Sequence, residues 1–158
     1  MQNPNPKFMQ EAVRLARKGM RAGDGGPFGA VVVRDGIIVA RGWNRVLRTQ
    51  DPTAHAEITA IREACQALGR FHLEDCELYT SCEPCPMCLG AILWSRLQAI
   101  HYAATRADAA AVGFDDSCFY DEVTAVPADR TLPCRHLPYP GAIKAMQEWQ
   151  LKNDKTRY

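Results

Sequence analysis

His55-Ala56-Glu57 and Pro84-Cys85-Pro86-Met87-Cys88 lie well apart in the chain, each at the start of a predicted helix. A fold that brings them together must set two helix N-termini side by side, and no other feature of the sequence constrains the architecture as strongly. Cysteines three apart at a helix start turn both sulfurs toward one point, where the helix N-terminus favours the thiolate form. Zinc, a borderline-soft ion, takes thiolate and imidazole in a tetrahedron. His55, from the neighbouring helix, supplies a third ligand beside Cys85 and Cys88, and the fourth position is left to water. Glu57, two residues from the histidine, stands beside that water without being a ligand. The metal lowers the pKa of the water, and the carboxylate accepts its proton and hands it on.

The same residues admit other readings. A lone C-x-x-C also serves redox and structural zinc sites. Cys82, Cys85 and Cys88 are evenly spaced, so with His55 they could close a structural zinc site or supply three ligands of an iron–sulfur cluster. Both readings leave Glu57 unexplained. Cys65, Cys76, Cys118 and Cys134 read as small core or near-surface thiols, and His72, His101 and His136 lack ligand spacing.

The length of 158 residues suits one domain over 1–158, and a 47% hydrophobic composition supplies a core without staples. The net charge is only +1 and the charges are interspersed, so a surface that wraps a nucleic-acid backbone is not expected. The short basic stretch of Lys152, Lys155 and Arg157 reads as a solvated tail. No apolar run reaches membrane-spanning length, and Met1-Gln2-Asn3-Pro4 lacks the regions of a signal peptide. A cytoplasmic location is expected, where seven cysteines, an odd number, serve as thiols or metal ligands.

Periodicity predicts a helix from Lys7 to about Ala22, with Phe8, Ala12, Leu15, Ala16 and Gly19 on one face. Strands follow at Phe28–Val33 and from Ile37 to Ala40 or a little beyond, with Asp35-Gly36 as a tight hairpin turn. Arg45 to Thr53 reads as loop, Ala54 to Leu68 as a helix ended by Gly69, and Cys76 to Thr80 as a buried strand. A helix from about Cys85 to Trp94 leads to a second buried strand, Ala99–Ala103, parallel to the first. Ala107–Ala111 suggests a helical turn, Phe114–Asp121 a loop, and Gly141–Asn153 a final helix; Val123–Leu137 is ambiguous. Strands alternating with helices imply an α/β layered domain with a mixed sheet.

The pairing of H-x-E with P-C-x-x-C is a signature of zinc deaminases. With Gly25-Gly26-Pro27-Phe28-Gly29-Ala30, Asp51-Pro52-Thr53-Ala54-His55-Ala56-Glu57 and the run from Leu78 to Ile92, it makes the chain resemble the cytidine deaminase-like superfamily. Gly113-Phe114-Asp115-Asp116-Ser117 and the terminal Tyr158 are similar to the bacterial guanine deaminases of that fold. The resemblance implies a three-layer α/β/α sandwich around a five-stranded mixed sheet. It also implies a homodimer whose C-terminal segment, about 140–158, crosses to the partner. It assigns the metal to His55, Cys85 and Cys88 and the proton shuttle to Glu57. Asn44 would hydrogen-bond the base, Phe28 and Trp94 would wall the pocket, Asp116 would face the guanine, and Tyr158 would close the site.

The chemistry of a purine base agrees with several of these roles. A planar ring needs apolar faces to stack on and a few polar groups to orient it. Guanine has adjacent N–H donors at N1 and its exocyclic amine, which a carboxylate such as Asp116 can accept. Asn44 can both donate and accept. The expected reaction is guanine plus water giving xanthine and ammonia. Alternatives are another base (adenosine in tRNA, cytosine or an aminated triazine) and a non-catalytic zinc-binding module closed by Cys82. Glu83 and Glu148 are lesser candidates for proton transfer or product release.

Overall fold

Asp35 and Gly36 carry the chain through φ values of 50° and 75° in a computed structural model, described here over residues 4–157. Two successive positive φ values suit a two-residue hairpin turn, whose twist matches that of the strands it joins. The turn folds β1 (Gly29–Arg34) back on β2 (Ile37–Trp43), in register from Arg34 opposite Ile37 to Gly29 opposite Trp43. The register shifts once, between Val32 and Val33. On its other side β1 pairs antiparallel with β3 (Cys76–Cys82), and β3 pairs parallel with β4 (Ala99–Ala104). The strand order is β2-β1-β3-β4.

Side chains alternate across the pleat. Ala30 and Val32 enter one apolar cluster, with Ala40, Leu78 and Ile92; Val31 and Val33 enter another, with Leu15 and Tyr79. Helix α1 (Pro6–Arg21) covers the second face. Its first turn is capped by Asn5, whose side chain accepts from the Lys7 amide at 3.0 Å. The first face is covered by α3 (Ala56–Leu68) and α4 (Pro86–Trp94), so three layers form.

Helix α3 approaches the sheet closely because small residues face it. Ala56, Ala60 and Ala64, four apart, are fully buried. A Cβ on Gly42 of β2 would stand 2.3 Å from the Ala56 carbonyl oxygen and 2.6 Å from the Ala60 nitrogen. Backbone thus packs on backbone where α3 begins, which sets the height of His55 and Glu57 above the sheet.

The expectation of five strands is corrected: the described residues form a four-stranded sheet. After β4 the chain turns helical at once. Thr105 caps α5 (Arg106–Ala110) in a reciprocal capping box with Asp108. Beyond it come α6 (Ser117–Thr124), a 3-10 turn (Pro127–Asp129) and α7 (Pro140–Leu151). Pro127, Pro133, Pro138 and Pro140 interrupt this stretch, and proline cannot donate to a strand ladder. Two loop expectations also change. Residues Val46–Thr49, expected within a loop, form the short helix α2, ended by Gln50 at φ 52°. The segment expected as loop from Phe114 contains the start of α6, where the Asp115 carboxylate accepts from the Ser117 amide at 2.9 Å.

Residues 4–117 make one compact unit and 118–157 a second. The second is helical, and α7 buries none of its residues: Ile143, Met146 and Leu151 are exposed. No helix among the described residues is long and apolar enough to cross a membrane.

Gly42→Ala is expected to destabilise the chain by about 1–3 kcal/mol, the usual cost of overpacking a tight contact. Thermal melting of the zinc-free protein checks this; an unchanged midpoint would mean that α3 rides higher than described.

Candidate active site

The two chemistry-bearing segments adopt the same local structure. His55 is the N-cap of α3, with φ −67° and ψ 162°; Cys85 is the N-cap of α4, with φ −66° and ψ 168°. Neither side chain caps its own helix, so both are free to turn toward a shared point. Each backbone carbonyl nevertheless starts its helix: Thr59 N donates to the His55 oxygen, and Leu89 N to the Cys85 oxygen, both at 2.9 Å. The approach to α3 is shaped by Asp51, whose carboxylate accepts from the Thr53 amide at 2.8 Å and from its hydroxyl at 2.7 Å. Pro86 at the first helical position of α4 has a φ suited to helix and lacks an N–H that would have no partner. Cys88 then falls one turn along the helix from Cys85.

The donor atoms of His55, Cys85 and Cys88 all lie within 4.8 Å of one another. His55 Nδ1 is 3.6 Å from Cys85 Sγ and 3.5 Å from Cys88 Sγ. Zinc bonds of about 2.3 Å to sulfur and 2.0–2.1 Å to nitrogen set tetrahedral donors ~3.5 Å apart. The residues present therefore fit the ion in both chemistry and spacing. Without the metal, the Cys88 thiol, reinforced by the imidazole of His55, holds Cys85 down at about 4, while Cys88 itself is raised by its bond to Cys85 and by burial. Hydrogen bonding to Cys85 raises His55. One thiolate beside imidazole and a second thiol is a site ready to exchange a proton for a cation.

Glu57 is 5% exposed on the first turn of α3. Thr80 Oγ1 donates to its Oε1 at 3.2 Å, and Cys88 Sγ lies 3.4 Å from its Oε2. The carboxylate is thus fixed by one oxygen and turned to the ligand cluster by the other. Burial raises its pKa. Thr80 lies within the run from Leu78 to Ile92, but the sequence gives it no role of its own; its signal is the alternation of β3, which puts it on the same face as Leu78.

Asn44, buried just after β2, accepts at Oδ1 from the Gly26 and Val46 amides at 3.3 and 3.2 Å. Phe28 is half-buried, with its ring edge-on to Phe114 at a centroid distance of 4.9 Å. Phe114, quoted in the sequence only as part of a motif, thereby joins Phe28 to the loop that carries Asp116. Asp116 is half-buried; burial raises its carboxyl pKa, as does the charge of Cys85. Trp94 stands at the far end of α4, 69% exposed, and Tyr158 lies outside the described residues. Glu83 Oε2 accepts from the Arg106 amide at 3.0 Å, which accounts for it as a loop tie, and Glu148 is exposed on α7.

Cys82 does not join the cluster. Its thiol sits 3.6 Å from the Thr105 carbonyl oxygen, and burial pushes its pKa up to about 11. Cys82→Ala is expected to keep one zinc per chain, whereas Cys88→Ala loses it. Metal analysis after dialysis checks this; loss of zinc from the Cys82 variant would restore the closed four-ligand reading.

The cytidine and deoxycytidylate deaminase zinc-binding region matches residues 2–104. A guanine deaminase of Bacillus subtilis (strain 168) is 52% identical over 151 residues, which span 96% of this chain and 97% of that protein. The X-ray structure of guanine deaminase from Bacillus subtilis superposes with a TM-score of 0.94, at 51% identity, over 100% of this chain and 99% of that one. A tRNA-specific adenosine deaminase of Aquifex aeolicus (strain VF5) is 42% identical over 97 residues, 61% of this chain and 64% of that protein. A buried carboxylate beside a zinc-competent His/Cys/Cys set on two helix N-termini has its explanation in this kinship: the chain belongs to the cytidine and deoxycytidylate deaminase family.

Proposed function

We propose that the chain deaminates guanine hydrolytically, giving xanthine and ammonia, with zinc held by His55, Cys85 and Cys88. The observation that carries the reaction type is Glu57, buried, with Oε1 accepting from Thr80 and Oε2 turned to the Cys88 thiol of the ligand cluster. When bound, zinc supplies a Lewis acid that makes water nucleophilic near neutral pH. Glu57 takes the proton released as water adds to the amine-bearing ring carbon. It returns protons to the ring nitrogen and to the departing amine, which leaves as ammonia. Asn44 orients the base, Phe28 walls it, Asp116 accepts from its N1 and amine edge, and Tyr158 closes the site; Trp94, exposed at the far end of α4, stands away from His55 and Cys85 and is not assigned to this pocket.

The extent of the similarities supports guanine over a tRNA adenosine. Likeness to the tRNA-specific deaminase spans 97 residues, whereas likeness to the guanine deaminase continues to 151. A net charge of +1, with the charges interspersed along the sequence, also favours a small base over a nucleic-acid backbone. The seven cysteines are free thiols, which suits the reducing cytoplasm in which we place the chain.

Within the same reading the chain works as a homodimer in which residues 140–158 cross to the partner. Support comes from apolar side chains left exposed: Met87, Leu89, Leu93 and Trp94 on α4, and Ile143, Met146 and Leu151 on α7. Exposed apolar side chains on each of these helices are what an interface between two copies would cover.

Zinc-loaded protein is expected to convert guanine to xanthine in an ultraviolet time course, with cytosine and adenine unchanged, and chelation should stop it. Glu57→Gln should keep zinc and lose turnover by roughly 10²–10⁴-fold, the usual worth of a general acid–base. A near-normal rate in that variant would remove Glu57 from the chemistry; no conversion by metalated wild type would sink the substrate. Sedimentation equilibrium should give two chains per particle, and a monomeric mass at working concentration would remove the swap.

A further inference from the structure

Gly25 abuts Asn44, the residue proposed to orient the base, yet neither the metal nor the proton relay uses it. Its neighbours differ in what they need. Gly23 has φ 72°, a conformation that favours glycine, so the turn itself explains it. Gly25 is not among the positive-φ residues, so backbone freedom does not explain it. Space does: a Cβ there would stand 2.0 Å from Asn44 Oδ1 and 3.0 Å from both Asn44 Cγ and the Asn44 carbonyl oxygen.

The amide of Asn44 has one orientation compatible with its surroundings. Both groups that meet its Oδ1, the amides of Gly26 and Val46, are donors. Only an oxygen can accept from them, so the neighbours themselves settle the assignment of oxygen and nitrogen. With Oδ1 committed to two backbone N–H groups, the group left to meet a ligand is the –NH₂. Asn44 is therefore a donor toward the base, and the ring must offer it an acceptor.

We propose that Gly25 is a positioning residue, acting through Asn44: the absence of a side chain at position 25 lets the amide oxygen seat on Gly26 and Val46 and so aims the amide nitrogen at the base. This rests on the reading of the site as a purine deaminase. A methyl at position 25 overlaps Oδ1, the atom it meets most closely, and so displaces the Asn44 amide from its two donors. The base then loses an orienting hydrogen bond while His55, Cys85, Cys88 and Glu57 stay in place.

The test is a double-mutant cycle on the full-length, zinc-loaded chain with Gly25→Ala, Asn44→Ala and the pair. Guanine turnover is read as kcat and KM per bound zinc, beside zinc content and melting temperature. Gly25→Ala is expected to keep one zinc per chain and to lose kcat/KM by roughly 10²-fold, the size of loss that a misplaced reactant brings. In the Asn44→Ala background the same change should cost less than about twofold, because the atom it displaces is gone. The drop in melting temperature caused by Gly25→Ala should shrink there too. Losses that multiply in the pair, or wild-type kcat/KM in Gly25→Ala, overturn the proposal. If the wild-type chain leaves guanine untouched, the functional reading fails first. The melting cycle still decides whether Gly25 acts through Asn44, and additive melting shifts overturn that.

Discussion

Two helices must begin at the same height above one face of the sheet for this protein to have a site at all. His55 and Cys85 hold equivalent positions, each an N-cap with extended backbone, and the donor atoms meet only because α3 and α4 share that face. The close seat of α3 on β2, backbone against backbone at Gly42, sets the height of one ligand. The turn after β3, which Glu83 ties to the start of α5, sets the other. Small residues and backbone hydrogen bonds do the placing, and such packing has little slack.

The electrostatics follow from that placement. Two helix N-termini direct partial positive charge at the sulfurs, which favours thiolate at Cys85. Glu57 is buried in the same place, where a charge without a partner is costly, and Thr80 meets only part of that need. A divalent cation resolves both: it takes up the thiolates and lowers the cost of an ionised carboxylate close by. The donor set is thus arranged for a metal before any substrate arrives.

Asn44 and the pair Phe28 and Phe114 form a second, separately supported set. Asn44 is held by the loop after β2 and by the turn at Gly25-Gly26, while Phe28 and Phe114 hold each other edge to face. A Cβ at Gly26 would meet both rings at 2.9 Å. The two glycines therefore make room for an amide on one side and an aromatic pair on the other. The local packing depends on what these positions lack.

Much of this was legible in the chain. The hairpin at Asp35-Gly36, the strands expected at Cys76–Thr80 and Ala99–Ala103, which the structure extends to Cys82 and Ala104, and the helices bearing the zinc residues all follow from local pattern, since turns, caps and periodicity act over a few residues. The H-x-E and P-C-x-x-C motifs name the chemistry because zinc accepts few ligand types. What the sequence left open has a common cause. Thr80 beneath Glu57, the exclusion of Cys82 from the cluster, and the orientation of the Asn44 amide depend on which side chains meet across elements far apart in the chain. So does the sheet's end at four strands, where a capping box and scattered prolines outweigh a family-based expectation. Sequence by itself determined the reacting groups, because their identity is a matter of covalent chemistry. Only the tertiary structure decided their partners and directions, because burial and hydrogen bonding are properties of the packed chain.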